Sequence, residues 1–196
     1  SKGNVVDPND VVDAYGADVL RTYVLFMGDY GSAAPWSDSS MKGCKRFLDR
    51  FADLTSIAAG KGSTPEVESA IHKTVKKVSG DIEEMKFNTA IAAVMGLLND
   101  IFDCGHITMD ECSMLIRLMC PIAPHLCEEM WEKIGGEGFC SLAPWPEYDE
   151  SKTVDSTVEV AVQINGKLRA TVALPNNCAK EDAFAAAKAN DKIAEL

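Results

Sequence analysis

The sequence predicts a mainly α-helical protein, a helical bundle followed by a small, incomplete α+β domain that contains a β-hairpin. Through the middle of the chain, apolar residues recur at intervals of three and four, which is typical of helices packed in a bundle. The clearest case has the spacing 4-3-4-3 and consists of Phe87, Ile91, Val94, Leu98 and Ile101. From Thr157 the period changes to two, which indicates strands. Asn165-Gly166 then separates two alternating runs and is the preferred two-residue hairpin turn.

The first segments read as three helices. Asp7-Pro8 suits a helix entry, so residues 9–15 form a short helix that Gly16 ends as a C-cap. A second helix presents one apolar face, made of Val19, Leu20, Tyr23, Val24 and Met27. After a loop over residues 28–36, a third helix starts near Ser37 or Asp38 and runs to about Ala59. Its apolar face contains Cys44, Phe47, Leu48, Phe51 and Leu54.

The central helices have clear boundaries. Thr64 caps a long helix that has Pro65 at its first position. Its apolar residues at intervals of three or four are Val67, Ile71, Val75, Val78, Ile82 and Met85. After the helix that carries the 4-3-4-3 spacing, another near 110–119 stops at Pro121, and the next runs from about Pro124 to Ile134. His125 lies in its first turn, where a histidine is more typical of packing or capping than of catalysis.

Glycines at 135, 136 and 138 end the helical part, and Leu142–Pro146 is an extended segment whose Trp145 is predicted to attach it to the bundle.

In the tail, Leu168, Ala170 and Val172 mark a return strand that Pro175 ends, and a helix follows that carries Phe184, Ala187 and Ile193. These boundaries predict four regions: connecting helices at 1–35, the bundle at 36–140, a linker at 141–156 and the small domain at 157–196.

The chain is acidic, with 30 acidic and 19 basic residues and a net charge of −11, which argues against indiscriminate binding to polyanions. Two local basic clusters remain. One is Lys42, Lys45, Arg46 and Arg50, and the other is the acid-free stretch between Glu159 and Glu181 with Lys167, Arg169 and Lys180. Clusters of this size are often only solvated surfaces.

The seven cysteines are an odd number without a C-x-x-C pair, so a disulfide framework is not expected and a reducing cytosol fits better. Cys112, Cys120 and Cys127 lie near His106 and His125 in sequence, but their spacing is not that of a closed zinc site. We interpret the thiols as small core residues and predict no metal. No run approaches the ~18–20 apolar residues that span a bilayer.

Several short blocks occur in a fixed order and spacing. They are Ser1-Lys2-Gly3-Asn4-Val5-Val6-Asp7-Pro8, Gly16-Ala17-Asp18-Val19-Leu20-Arg21, Phe26-Met27-Gly28, Trp36-Ser37-Asp38-Ser39, Phe87-Asn88-Thr89-Ala90-Ile91, Pro121-Ile122-Ala123-Pro124-His125-Leu126-Cys127-Glu128-Glu129-Met130-Trp131 and Val162-Gln163-Ile164-Asn165-Gly166-Lys167-Leu168-Arg169. Together they resemble the C-terminal part of class I aminoacyl-tRNA synthetases, and most closely the bacterial-type leucyl-tRNA synthetases.

The resemblance implies an enzyme that uses ATP to charge leucine tRNA, in the cytoplasm, of which this chain is one part. In that family the second lysine of a Lys-Met-Ser-Lys-Ser loop stabilises charge on the departing pyrophosphate. Ser1 would be the last residue of that loop and Lys2 would follow it, so no catalytic residue is expected here. ATP would bind mainly outside this chain, in an upstream catalytic domain that is also its partner, and the chain alone is predicted to be inactive.

The resemblance further implies that the bundle is an anticodon-binding-like domain that contacts the body of leucine tRNA, by shape and backbone contacts. The candidate contacts are Lys42, Lys45, Arg46 and Arg50 on the third helix, and Asn165, Lys167 and Arg169 at the hairpin tip. Asn165-Gly166 is explained equally well by the requirements of the hairpin turn, without any contact to tRNA. The tryptophans at 36, 131 and 145 could stack on bases, although we favour an anchoring role. No contact with DNA or a membrane is expected.

Two alternatives stay open. The chain could be the same region of a valine, isoleucine or methionine enzyme, although Trp36-Ser37-Asp38-Ser39 and the hairpin block favour leucine. It could also be a non-catalytic helical module that binds protein, which the acidic charge suits.

Overall fold

A computed structural model describes residues 5–28, 35–58, 61–154, 157–164, 167–176 and 178–189. The chain forms two compact units, Ser1–Thr153 and Val154–Leu196, and each is described by itself. The helices are α1 (Pro8–Tyr15), α2 (Ala17–Phe26), α3 (Asp38–Ala52), α4 (Leu54–Ile57), α5 (Pro65–Glu83), α6 (Phe87–Cys104), α7 (Met109–Met119), α8 (Pro124–Lys133) and α9 (Lys180–Lys188). Two strands, β1 (Thr157–Ile164) and β2 (Lys167–Pro175), pair antiparallel. The mainly helical fold class is therefore confirmed.

None of the helices within the described ranges is long and apolar enough to cross a membrane.

Local sequence signals explain how α1 begins and ends. The Asp7 carboxylate accepts a hydrogen bond from the Asn9 backbone N–H at 2.9 Å, and Pro8 occupies the first helical position. Gly16 ends α1 with a φ of +90°, a conformation that a side chain would disfavour, and its N–H bonds to the Val12 carbonyl at 2.8 Å. Both predicted boundaries are confirmed.

The third predicted helix is interrupted, because α3 ends at Ala52 and the four-residue α4 follows. The hydroxyl groups of Thr55 and Ser56 donate to the carbonyls of Ala52 and Asp53, at 3.1 and 2.6 Å. Such bonds compete with continued helical hydrogen bonding. A single helix to Ala59 was therefore wrong within the described range, which ends at Ala58, although the predicted apolar face of α3 and α4 is buried.

The centre of the first unit is the antiparallel pair α5 and α6. Thr64 accepts from the Val67 N–H, and Pro65 begins α5 as predicted. The facing side chains that are at most 6% exposed are Val67, Ile71, Val75, Val78, Ile91, Val94, Leu98 and Ile101. Their burial confirms that intervals of three and four identify the packed faces of both helices.

Met85 departs from that pattern. It was assigned to the apolar face of α5, but the helix ends before it, and its side chain is 62% exposed. Its φ of +59° is left-handed, and the following Lys86 N–H bonds back to the Asp81 carbonyl at 2.7 Å. This is the bonding of a Schellman C-cap, a position that glycine normally occupies.

We expect Met85→Gly to raise the free energy of unfolding by about 1 kcal/mol, because glycine removes the Cβ strain of the left-handed conformation. Urea unfolding monitored by circular dichroism measures it. Met85→Ala is the side-chain control and should give no comparable gain. Lys86→Gly, at a residue with an ordinary φ of −91°, should lower stability, and a gain there equal to that of Met85→Gly would contradict the explanation.

Helices α7 and α8 complete the core of the first unit. Thr108 and Glu111 form a capping box at the start of α7, in which the Thr108 N–H donates to Glu111 at 2.7 Å and the Glu111 N–H donates to the Thr108 hydroxyl at 3.1 Å. Glu111 is only 8% exposed, and Ser63 also donates a hydrogen bond to its carboxylate. After α8, Gly136 leaves no room for a side chain, since a Cβ there would lie 2.2 Å from the Trp131 ring.

The segment after Pro144 lies along α5. The indole N–H of Trp145 donates to the Ser79 hydroxyl at 2.8 Å, and the Asp149 N–H donates to His72 Nδ1 at 3.1 Å. Two ion pairs continue the contact, Lys76–Glu150 at 2.5 Å and Lys152–Glu68 at 2.6 Å. The prediction that Trp145 attaches this segment to the bundle is confirmed.

In the second unit, β1 and β2 pair in register from Thr157–Pro175 to Val162–Ala170, but Gln163 then pairs with Leu168. Arg169 is therefore the extra residue of a β-bulge, which interrupts the alternation of side chains. The predicted apolar set of Leu168, Ala170 and Val172 does not stay on one face, and Leu168 is 63% exposed. Val162, Val172 and Leu174 line an apolar groove with Phe184 of α9.

Candidate nucleic-acid interface

The basic residues predicted on α3 lie on one side of that helix. Lys45, Arg46 and Arg50 lie three, four and eight positions after Lys42, which places all four on one helical face. The opposite face is buried, with Met41, Cys44 and Phe47 at most 7% exposed. The packing of α3 therefore fixes the direction in which the basic face points, and Lys42, Lys45 and Arg46 are exposed.

The four basic side chains differ in the ion pairs and hydrogen bonds that they form. Lys45 pairs with Asp49 one turn later at 2.7 Å, and both side chains are exposed, so the pair adds little stability. Among the described residues, neither Lys42 nor Arg46 forms an ion pair or a side-chain hydrogen bond, so their charges are the ones available to an anionic ligand.

Arg50 is bound to the neighbouring helix. Its Nη1 donates to the Asn99 side chain at 2.6 Å, its Nη2 donates to the Leu98 carbonyl at 3.4 Å, and its guanidinium lies 4.8 Å from the centre of the Phe102 ring. The sequence pattern does not indicate these contacts, because the α6 residues lie 48 to 52 positions further along the chain. Its assignment as a tRNA contact stays a prediction, with packing of α3 on α6 as an established second role.

The second cluster lies on β2. Lys167 opens the strand opposite Ile164, and Arg169 occupies the bulge, with both side chains exposed. Neither forms an ion pair with any residue in the described part of the chain. Asn165 and Gly166, and Ser1 and Lys2, lie outside the described residues. The α3 cluster and the β2 cluster belong to different units, and each stays a separate prediction.

The tryptophans have structural contacts. Trp36 donates its indole N–H to Asp38 at 2.9 Å and packs edge-on against Tyr23, with ring centres 4.9 Å apart. The Tyr23 hydroxyl accepts from the Ser37 N–H at 2.8 Å, so these rings hold the start of α3. Trp131 donates to the Glu137 carbonyl at 3.3 Å. The anchoring role that we favoured is confirmed.

The structure also joins two sequence blocks that are more than 100 positions apart. The Asp18 carboxylate accepts from the Leu126 N–H at 2.7 Å and contacts His125 Nδ1 at 2.9 Å. Arg21, one turn later, donates to the carbonyls of Pro121 and Ile122 at 2.7 and 3.2 Å. His125 thus has a structural partner, and Asp18 supplies the cap for α8 that its own N-cap residue, Ala123, cannot provide.

Five of the seven cysteines are buried in the core of the first unit, and the other two are half-buried. Cys112, Cys120, Cys127 and Cys140 are at most 5% exposed. Burial raises the pKa of Cys112 to about 12 and the pKa of Cys127 well above its ordinary value. Within the described ranges, no group of three or more His, Cys, Asp or Glu side chains is arranged to hold a metal ion.

These thiols should react slowly in the folded protein. We expect Cys112 to be alkylated by iodoacetamide at least about 100-fold more slowly than the half-buried Cys178 at about pH 8, because both burial and a small thiolate fraction protect it. Peptide mass spectrometry over time measures both rates, and urea-unfolded protein is the control in which they should converge. Equal rates in the folded protein would contradict the buried assignment.

Comparison with known proteins identifies the family. The family model described as the anticodon-binding domain of tRNA ligases matches residues 65–183, which includes α5, α6, α7 and α8. The chain belongs to this family. The match also extends over both strands of the second unit and into α9.

Three curated relatives of this chain carry the name leucine–tRNA ligase. The chain is 44% identical over its whole length to the one from Bdellovibrio bacteriovorus, 48% identical over 86% of its length to the one from Alkaliphilus oremlandii, and 41% identical over its whole length to the one from Sorangium cellulosum. It spans only 25%, 21% and 23% of these relatives.

A solved structure also has this fold. It is the crystal structure of the ternary complex of the agnB2 LeuRS of Agrobacterium radiobacter K84 with tRNA and LeuAMS. This chain is 31% identical to that LeuRS chain, and the two superpose with a TM-score of 0.81. The similarity covers all of this chain and 28% of that one.

Proposed function

We propose that this chain is the tRNA-binding part of a leucine–tRNA ligase, the ATP-dependent enzyme that charges leucine tRNA and forms AMP and pyrophosphate. The main support is its 41–48% identity with three leucine–tRNA ligases over 86–100% of its length. The exposed face of α3, with Lys42 and Arg46 free of ion pairs among the described residues, supports a tRNA contact there.

The physical role that we propose is positioning. Lysine and arginine side chains on α3 would contact phosphates, and such contacts fix where the RNA lies without reading its sequence. The buried side of α3, built from Met41, Phe47 and Phe51, would hold these cations on a rigid support. ATP and the reacting atoms would bind in the catalytic domain, which we propose as the partner of this chain, and the ligase would work in the cytoplasm.

The alternative that the chain belongs to a valine, isoleucine or methionine enzyme is disfavoured, because the three relatives are leucine–tRNA ligases. An unrelated protein-binding module is disfavoured because the family match covers residues 65–183. The two kinds of binding differ in their salt dependence. The affinity of an apolar protein interface changes little with salt concentration, whereas the affinity for tRNA falls steeply.

The test is a titration of the chain with leucine tRNA and with one non-cognate tRNA, at low and at moderate salt. We expect tighter binding of leucine tRNA and a steep loss of affinity as salt rises, because neutralised phosphates release counterions. Circular dichroism on the same sample verifies that the chain is folded. Binding that is insensitive to salt, or no binding by folded protein at low salt, would contradict a tRNA contact made by this chain.

A further inference from the structure

We propose that a cavity beside the end of α7 is a binding site for a phosphate group. Its volume is about 300 Å³, and its lining includes Arg21, Arg117, Pro121, Ser141 and Trp145. It lies entirely within the first unit and involves none of the basic residues of α3. Neither the charge pattern of the sequence nor the two basic clusters pointed to it, because its arginines are 96 positions apart.

Both guanidinium groups are held in place by backbone carbonyls. Arg21 donates to Pro121 and Ile122, and Arg117 donates through Nε to Ser113 at 3.3 Å and through Nη1 to Pro144 at 2.9 Å. A guanidinium has five N–H donors. Since each of these groups uses two of them, three N–H donors per arginine remain for a ligand, and little side-chain entropy is left to lose on binding.

The charges of these arginines are not neutralised by ion pairs. Among the described residues, no Asp or Glu lines the cavity and none forms an ion pair with Arg21 or Arg117. Asp110 and Glu147 line a neighbouring cavity that Arg117 also borders, so they moderate the positive potential without pairing with it.

One acid that contacts the cavity wall is already engaged in hydrogen bonds. Glu128 accepts the backbone N–H groups of Cys140 and Ser141 at 2.7 and 2.9 Å. Burial raises the pKa of Glu128, but the hydrogen bonds from Ser141 and Cys140 outweigh it, so the pKa lies below its ordinary value. Its carboxylate therefore binds the turn over residues 140–142, and among the described residues it forms no ion pair with Arg21 or Arg117.

Two fixed guanidinium groups facing one cavity without a carboxylate suit an oxyanion that accepts several hydrogen bonds, and phosphate matches the planar donor pairs of arginine. The phosphate could belong to an RNA backbone or be free. Both sources offer the same chemistry to the cavity, so the experiment has to separate them.

The experiment follows the side-chain Nε–H signals of Arg21 and Arg117 by NMR in the full chain, with inorganic phosphate, with leucine tRNA, and with sodium chloride at matched ionic strength. We expect a saturable shift of both signals with a phosphate ligand and none with chloride. Arg117→Gln should weaken binding seen at Arg21 by at least about tenfold, and Arg117→Lys should retain part of it. Lys133→Gln, at an exposed paired lysine, should have no effect.

Shifts with inorganic phosphate would assign the site to free phosphate, and shifts with tRNA alone would assign it to an RNA phosphate. The tRNA shifts should persist in Lys42→Gln/Arg46→Gln, which separates this cavity from the α3 surface of the proposed function. The proposal is overturned if neither ligand shifts the two signals, if chloride shifts them equally, or if folded Arg117→Gln binds as the unaltered chain does.

Discussion

Replacing Asp18 with alanine should lower the free energy of unfolding by about 2–3 kcal/mol. Asp18 is 9% exposed, and its carboxylate accepts a hydrogen bond from the Leu126 N–H and contacts His125. Its removal leaves the half-buried Leu126 N–H without an acceptor, which costs more than the loss of a fully exposed cap. The negative charge near the start of α8 also interacts favourably with the positive end of the helix dipole, and this contribution disappears as well.

Urea unfolding of Asp18→Ala, Asp18→Asn and Asp13→Ala tests this expectation. Asp13 is the matched control, because it lies exposed on α1 without a hydrogen bond from its side chain to any described residue. We expect Asp13→Ala to change stability by less than about 0.5 kcal/mol. Asp18→Asn should fall between the two alanine variants, since its amide can still accept one bond. A loss for Asp18→Ala no larger than that for Asp13→Ala would show that the cap contributes little.

Reversing the charges of Lys42 and Arg46 together should weaken the affinity for leucine tRNA on the order of 10- to 100-fold at low salt. Both side chains are exposed and free of ion pairs among the described residues, so their charges are available to phosphates. The double variant Lys42→Glu/Arg46→Glu should also reduce the slope of log affinity against log salt by about two, one for each lost phosphate contact.

The matched control for this pair is Lys77→Glu/Lys133→Glu, which makes the same change in net charge on other helices. These two lysines are exposed and already pair with Asp81 and Glu129. If both double variants weaken binding equally, the effect reflects overall charge and the α3 face is not a specific contact. Unchanged binding by folded Lys42→Glu/Arg46→Glu would remove α3 from the proposed interface.

The sequence was sufficient to predict those features of the fold that depend on interactions between residues close together in the chain. Apolar spacing identified the packed faces of α5 and α6, because a helix repeats every 3.6 residues and core positions must follow that period. Asp7-Pro8 and Thr64-Pro65 marked helix starts for a similar reason, since a cap bonds to an N–H only two or three residues away. The change to a period of two likewise located both strands.

The tertiary structure decided what depends on contacts between distant residues. Met85 fits the apolar spacing of α5, yet the chain turns before it. Arg169 fits a regular strand, yet it forms a bulge in the pairing with β1. Among the candidate site residues, sequence could place Lys42 and Arg46 on one face, but only the packed structure shows that α6 engages Arg50.

Asp18 is the clearest case, because its partners lie 107 and 108 positions away. By itself, the sequence determined the helical architecture, the N-caps of α1 and α5 and the grouping of Lys42 and Arg46 on one face of α3, all of which follow from neighbours along the chain. Only the tertiary structure decided which polar groups meet across the bundle, since a buried donor or charge is satisfied by whichever partner the packing brings within reach.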